Sequence, residues 1–245
     1  MNAFGEAIRY LNDPLNWTRR NGILELLGEH VAISVIAVLA AMALAVPLGV
    51  ALGHTGRGAG LIVAVSNVSR AIPTLALLTI FAVTPIGFGN RATTIALAVF
   101  AVPPILANTY LGFREVDRDV KEAARAMGMS GAQVIVRAEL PLASPLLMTG
   151  IRTATVQVVA TATLAALVGG GGLGQIINLG FGQQDYGEII AGALLVAALA
   201  VLTEAVLVLV SWAVIPGPRR MPFAPVRRRA ARPGDPEPIA AGAPA

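Results

Sequence analysis

The chain has 245 residues, 56% of them hydrophobic and 13% charged, a charged fraction about half that of a typical soluble domain. It has no cysteine and only two well-separated histidines, His30 and His54, which excludes disulfides, thiolate metal sites and cysteine nucleophiles and argues against a His-based metal centre. The net charge of +4 is not a nucleic-acid footprint, because six of the 18 Lys and Arg fall between Arg219 and Arg232 and five between Arg114 and Arg137, beside apolar stretches.

Residues 1–30 lack a cleavable signal peptide, since Asp13, Glu25 and Glu29 are present and a short apolar core is not. Five stretches beyond are long and apolar enough to cross about 30 Å of hydrocarbon as helices of about 20 residues. They are 31–53, 59–83, 92–111, 146–168 and 188–212, and the first carries no charge. The predicted fold is therefore all-α and polytopic. In the second span Arg70 precedes Pro73, whose ring removes a helix donor and can open the backbone; Arg70, Pro73 and Thr74 are candidate pathway residues. Ionisable residues inside apolar spans face a bundle interior or a water-filled path, which makes Glu204 a candidate for either. Arg152, Thr153 and Gln157 on the fourth span are further candidates, although polar residues also bond helices together.

Five spans place the termini on opposite sides. Arg57, the five basic residues of the 112–145 loop and the six of the tail make twelve on one side; Arg9, Arg19, Arg20 and Arg91 make four on the other. Basic residues are retained in the cytoplasm, so the 112–145 loop and the C-terminus are predicted cytoplasmic, with Arg19 and Arg20 as a counter-signal. Residues 1–24 then form an extracytoplasmic segment. The stretch 213–245, rich in Pro, Ala, Gly and Arg, reads as a disordered basic cytoplasmic tail that anchors orientation against membrane lipid.

The 112–145 loop is patterned beyond the needs of a connector. From Glu115 to Met127, apolar Val116, Val120, Ala123, Ala124 and Met127 recur at helical spacing. Asp117–Lys121 and Arg118–Glu122 are possible i,i+4 pairs on the opposite face. Gly128 suits a left-handed helix end, and Ser130 with Gln133 suits a capping box opening a second short helix. Pro141 is predicted to end that helix, and Ser144-Pro145 to cap and begin the fourth span. Mixed charge and small residues favour docking into a protein groove over resting on lipid, where bulky apolar and basic residues prevail.

The run KEAARAMGMSGAQVIVRAELPLA resembles the EAA loop of ABC importer permeases, with Glu122, Ala123, Ala124, Gly128, Leu140 and Pro141 at matching positions. Ala138 stands where that pattern usually has Ile. SRAIPTLALL (69–78), PPILANTYLGFREV (103–116) and GGGGLGQIINLG (169–180) resemble the branch that imports glycine betaine, choline, carnitine or proline betaine. The methionine-importer permeases share the fold and are the alternative. The resemblance covers roughly residues 25–212 and implies a type-1 ABC transmembrane domain in the bacterial inner membrane. It also implies cytoplasmic ABC ATPase subunits that bind the ATP, a second copy or related permease, and an extracytoplasmic substrate-binding protein. The chain itself is expected to hold no cofactor and to be no enzyme.

Gly169–Gly174 contains a formal G-x-G-x-x-G, but it follows a span rather than a strand, so nucleotide binding is dismissed. Gly171, Gly172, Leu173 and Gly174 are instead candidates for an external loop that meets the delivering receptor. No HExxH, G-x-S-x-G or P-loop is present. A self-sufficient secondary transporter would show more spans and an internal repeat, and a membrane enzyme would need a clustered acid/base or metal set.

Overall fold

The structure, a computed structural model, describes residues 2–215; the tail prediction for 213–245 falls almost wholly outside the described residues. The described residues are helical, with no strand among them. Helices α1 (Ala3–Asn12) and α2 (Pro14–Thr18) precede α3 (Ile23–Thr55), α4 (Ala59–Ala71), α5 (Thr74–Ala82) and α6 (Asn90–Arg114). Then come α7 (Arg118–Ala126), α8 (Gly131–Val134), α9 (Leu140–Thr161), α10 (Gly174–Gln183) and α11 (Tyr186–Val214).

The central bundle is α3, α6 and α9. Its core joins Ile33, Ala37, Ala41 and Ala45 of α3 with Leu97, Ala101 and Ile105 of α6 and Ala154 and Val158 of α9. These helices approach closely because small residues stand where they cross. A Cβ on Gly53 would lie 2.6 Å from the Phe113 Cβ, and one on Gly150 would lie 2.9 Å from the Pro104 carbonyl oxygen. Helix α11 lies at the edge and buries few residues, among them Gly187, Ala191 and Gly192. Its remaining apolar surface suits contact with hydrocarbon.

Among the described residues, four helices are long and apolar enough to cross a membrane: α3, α6, the rod Gly131–Val168 and α11. The second predicted span, 59–83, is not one straight helix; α4 and α5 meet at a bend of 85°. Ile72 and Pro73 are extended there, because the residue before proline is pushed out of the helical region. Ile62 joins the central core, and Gly58, just before α4, lies against Leu52 near the end of α3. Leu78 and Ala82 pack on Ala92, Ala96 and Val168, at the opposite end. Counted together as one broken span, the bent pair would bring the candidate membrane spans among the described residues from four to five.

The fourth span also differs from expectation. Pro141 does not end a helix and Pro145 does not begin one: helix runs unbroken from Gly131 to Val168. A π turn, Ile135–Glu139, makes this possible. Its wider spacing relaxes the ladder just before Pro141, which has no N–H to contribute. The Pro141 carbonyl, left without a donor by Pro145, accepts from the Ser144 hydroxyl at 2.8 Å. At the far end, α9 tightens into a 3-10 turn, Ala162–Val168.

Candidate functional site

Three regions contain the residues singled out by sequence. The first is a cleft of 430 Å³ between the broken span, α6 and α9. Pro73 and Thr74 reach it from the break, and Thr153 and Gln157 from α9, so four of the candidate pathway residues converge. The side chain of Arg70, a further candidate, lies outside what the structure describes. Ser66, Ser69 and Asn108 add hydroxyl and amide groups, and Phe100 is the one aromatic among the described residues of the wall. Pro103 and Pro104 also line the cleft, and their missing N–H groups leave the carbonyls of Val99 and Phe100 without their usual helical donors. Irregular backbone at this depth is tolerated where it lines a wet cavity. Among the described residues, the lining carries no carboxylate.

A smaller, open pocket of 330 Å³ shares Thr153 and Gln157 with that cleft and is also lined by Arg152 and Glu204. Arg152 of α9 and Glu204 of α11 form an ion pair. Glu204 thus has a bundle partner and also lines the pocket next to the cleft. The pair holds α11 to α9 and neutralises two charges within apolar spans. The Arg152 Nε is buried without a partner.

The second region is the face where α3 and α6 end. Helix α7 begins at Arg118, three residues later than the apolar spacing implied, because Asp117 caps it by accepting from the Asp119 N–H at 3.0 Å. Gly128 is left-handed, with φ of 82°. Ser130 and Gln133 form the reciprocal capping box of α8. Arg118 pairs with Glu122 at 2.7 Å, both exposed. The expected Asp117–Lys121 pair does not form. Lys121 turns inward, donates to the Phe113 carbonyl at 3.0 Å and approaches Glu139 at 3.5 Å. Glu139 is fully buried, and His54 Nδ1 lies 2.8 and 2.9 Å from its two oxygens. Sequence reading missed this cluster; an acid just before Leu140-Pro141 was its only local sign. Ala124 is buried, whereas Glu122, Ala123 and Gly128 are exposed together with Leu140.

The third region is the opposite end of the bundle. The predicted 169–187 loop contains a helix, α10, and its glycine run is folded inward: Gly171, Gly172, Leu173 and Gly174 are all buried. These four residues cannot themselves be an exposed docking surface. They form a hydrogen-bonded knot because bare backbone can approach other elements closely. The N–H of Gly171 donates to Asn90 Oδ1 at 2.6 Å, and that of Gly172 to Glu29 Oε2 at 3.1 Å. The N–H of Leu173 donates to His30 Nδ1 at 3.2 Å. His30 therefore carries its proton on Nε2 and donates to the Val159 carbonyl at 2.9 Å. That carbonyl becomes available where α9 changes from i−4 to i−3 bonding. Gly172 has φ of 93°, and a Cβ on Gly174 would lie 2.0 Å from the Thr163 carbonyl oxygen. The longest exposed run of the segment is 181–186, beside α1, which folds onto the start of α11, while α2 packs on α3. There burial raises the Tyr10 pKa, helped by the Glu188 carboxylate.

Residues 45–216 match the family model described as binding-protein-dependent transport system inner membrane component. The chain is 39% identical to the glycine betaine/carnitine/choline transport system permease protein OpuCB of Bacillus subtilis, over 84% of this chain and 95% of that protein. It is 42% identical to the choline transport system permease protein OpuBB of Bacillus subtilis, over 73% of this chain and 82% of that one. Among solved structures, the MetNI methionine ABC transporter in an inward-facing conformation matches with a TM-score of 0.69 at 24% identity, covering 82% of this chain and 98% of that chain. This last likeness concerns the fold alone.

Proposed function

The chain belongs to the binding-protein-dependent transport system inner membrane component family, and we propose that it forms the translocation path for an osmoprotectant quaternary amine such as glycine betaine, choline or carnitine. The observation that carries the substrate class is the near-full-length identity to permeases named for those solutes. A methionine importer is the less favoured reading, since that likeness is one of fold at lower identity. Energy comes from separate ATPase subunits, solute from an extracytoplasmic binding protein, and a second permease completes the pore.

The cleft supports a weak, wet path. A quaternary ammonium offers no hydrogen-bond donor, so tight selection takes several aromatic faces. Phe100 is one face; hydroxyls and amides provide the rest of the lining. High-affinity selection is therefore assigned to the external receptor. Calorimetry with betaine, choline and carnitine should give no micromolar binding to the purified chain. The assembly with ATPase and receptor should hydrolyse ATP in response to loaded receptor. Micromolar binding to the chain alone would overturn this division of labour.

The face carrying α7 and α8 is assigned to the cytoplasm, with Glu122, Ala123, Ala124, Gly128, Leu140 and Pro141 as the ATPase-coupling element and the C-terminus on the same side. The knot end then faces outward, with 181–186 as the receptor-facing surface in place of the buried glycines. The chain has no native cysteine, which makes labelling clean. A single cysteine at Gln183 should react with membrane-impermeant reagents in intact cells, and one at Gln133 should not. The reverse pattern would invert the orientation.

A further inference from the structure

We propose that Lys121, Glu139 and His54 form the joint through which a displacement of α7 reaches the membrane helices, and are positioning residues for transport. The inference rests on the reading of α7 as the element that docks on the ATPase. Four pieces of chain meet at the joint. His54 belongs to the last turn of α3 and Glu139 to the π turn that leads into α9. The Phe113 carbonyl belongs to the end of α6, and Lys121 to α7.

The bonding fixes the roles. A carboxylate only accepts, so His54 Nδ1 carries a proton and donates to Glu139, at 2.8 and 2.9 Å from its two oxygens. Lys121 Nζ stands 3.5 Å from Glu139 Oε1 and donates to the Phe113 oxygen at 3.0 Å. Glu139 is entirely buried, while Lys121 and His54 are 15% and 18% exposed. A carboxylate so placed is strongly penalised when its cation leaves. Helix α7 therefore cannot slide or tilt away by itself; the ends of α3, α6 and α9 must follow, or Glu139 is stranded. The outer side of α7 is built differently. Arg118 and Glu122 pair with each other in solvent, and Val120, Ala123 and Met127 stay exposed. One short helix thus presents a surface free for a partner and an opposite surface tied by charge to three membrane helices.

The test uses the complex of permease, ATPase and receptor in vesicles and reads solute imported per ATP hydrolysed. Lys121→Met and Glu139→Gln should each lower that ratio about tenfold, the scale of a typical coupling free energy. Lys121→Arg, which keeps the charge, should preserve it. The exchange Lys121→Glu with Glu139→Lys should recover a large part of what either single charge reversal loses. Lys121 lies on a short helix outside the spans, so Lys121→Met carries the test should Glu139→Gln fail to insert. A wild-type ratio in Lys121→Met overturns the joint, as does a lowered ratio that neither Lys121→Arg nor the exchange restores. Glu122→Lys separates the two readings: if it uncouples transport while Lys121→Met does not, the joint fails and the docking assignment stands. If neither variant uncouples, the docking assignment itself fails.

Discussion

Gly53→Val is expected to be among the most destabilising single substitutions in the bundle, costing about 3 kcal/mol or more, the upper end for overpacked cores. The new Cβ would stand 2.6 Å from the Phe113 Cβ and 2.8 Å from the Tyr110 carbonyl oxygen. Neither atom sits at the end of a flexible side chain, so α3 and α6 must separate. Valine is the better helix former by about 0.4 kcal/mol, too little to offset the clash. Gly49→Val should behave similarly, since its Cβ would lie 2.7 Å from the Thr109 Cβ. Gly28, on the same helix, has nothing within 4 Å of an added Cβ, and Gly28→Val should stay within about 0.5 kcal/mol of the parent. Thermal unfolding midpoints in detergent give the comparison. Equal midpoints for Gly28→Val and Gly53→Val would show that the two helices do not meet through these glycines.

His30→Leu should produce the second large loss. Leucine matches the size of the ring but leaves the Leu173 N–H and the Val159 carbonyl buried without their present partners. Each stranded group costs about 1–3 kcal/mol. Glu29→Gln keeps an acceptor for the Gly172 N–H and should cost under about 1 kcal/mol. Besides the midpoint, hydrogen exchange at the Leu173 amide should accelerate sharply in His30→Leu and little in Glu29→Gln. Unchanged protection at Leu173 would show that His30 does not hold the knot.

What could be read in the sequence was what depends on near neighbours. The left-handed Gly128, the Ser130–Gln133 box and the Arg118–Glu122 pair each need only four or five residues of chain, and each is present as expected. The apolar stretches marked the spans because hydrocarbon selects for composition over some 20 residues. What escaped depends on distant partners. Lys121 had a nearby acid in Asp117, but burial of Glu139 creates a stronger demand for its charge. Glu139 meets His54 across 85 residues, and no periodicity encodes that. The glycine run suggested an exposed loop because glycine serves both in open turns and in close backbone approach, and only the positions of Glu29, His30 and Thr163 decide between them. Pro141 and Pro145 suggested boundaries because a π turn leaves no recognisable pattern in residue types.

The unbroken run from Gly131 to Val168 has a mechanical consequence. Its 38 residues, at about 1.5 Å each, make a rod of roughly 57 Å, nearly twice the thickness of the hydrocarbon. Glu139 grips it near one end and the Val159 carbonyl near the other. A rod held this way behaves as a lever: a small tilt forced at Glu139 arrives at the glycine knot as a sideways shift in proportion to the distance from the pivot. Thr153 and Gln157 lie on the arm between the two grips, so a tilt of the rod would carry the wall of the cleft with it.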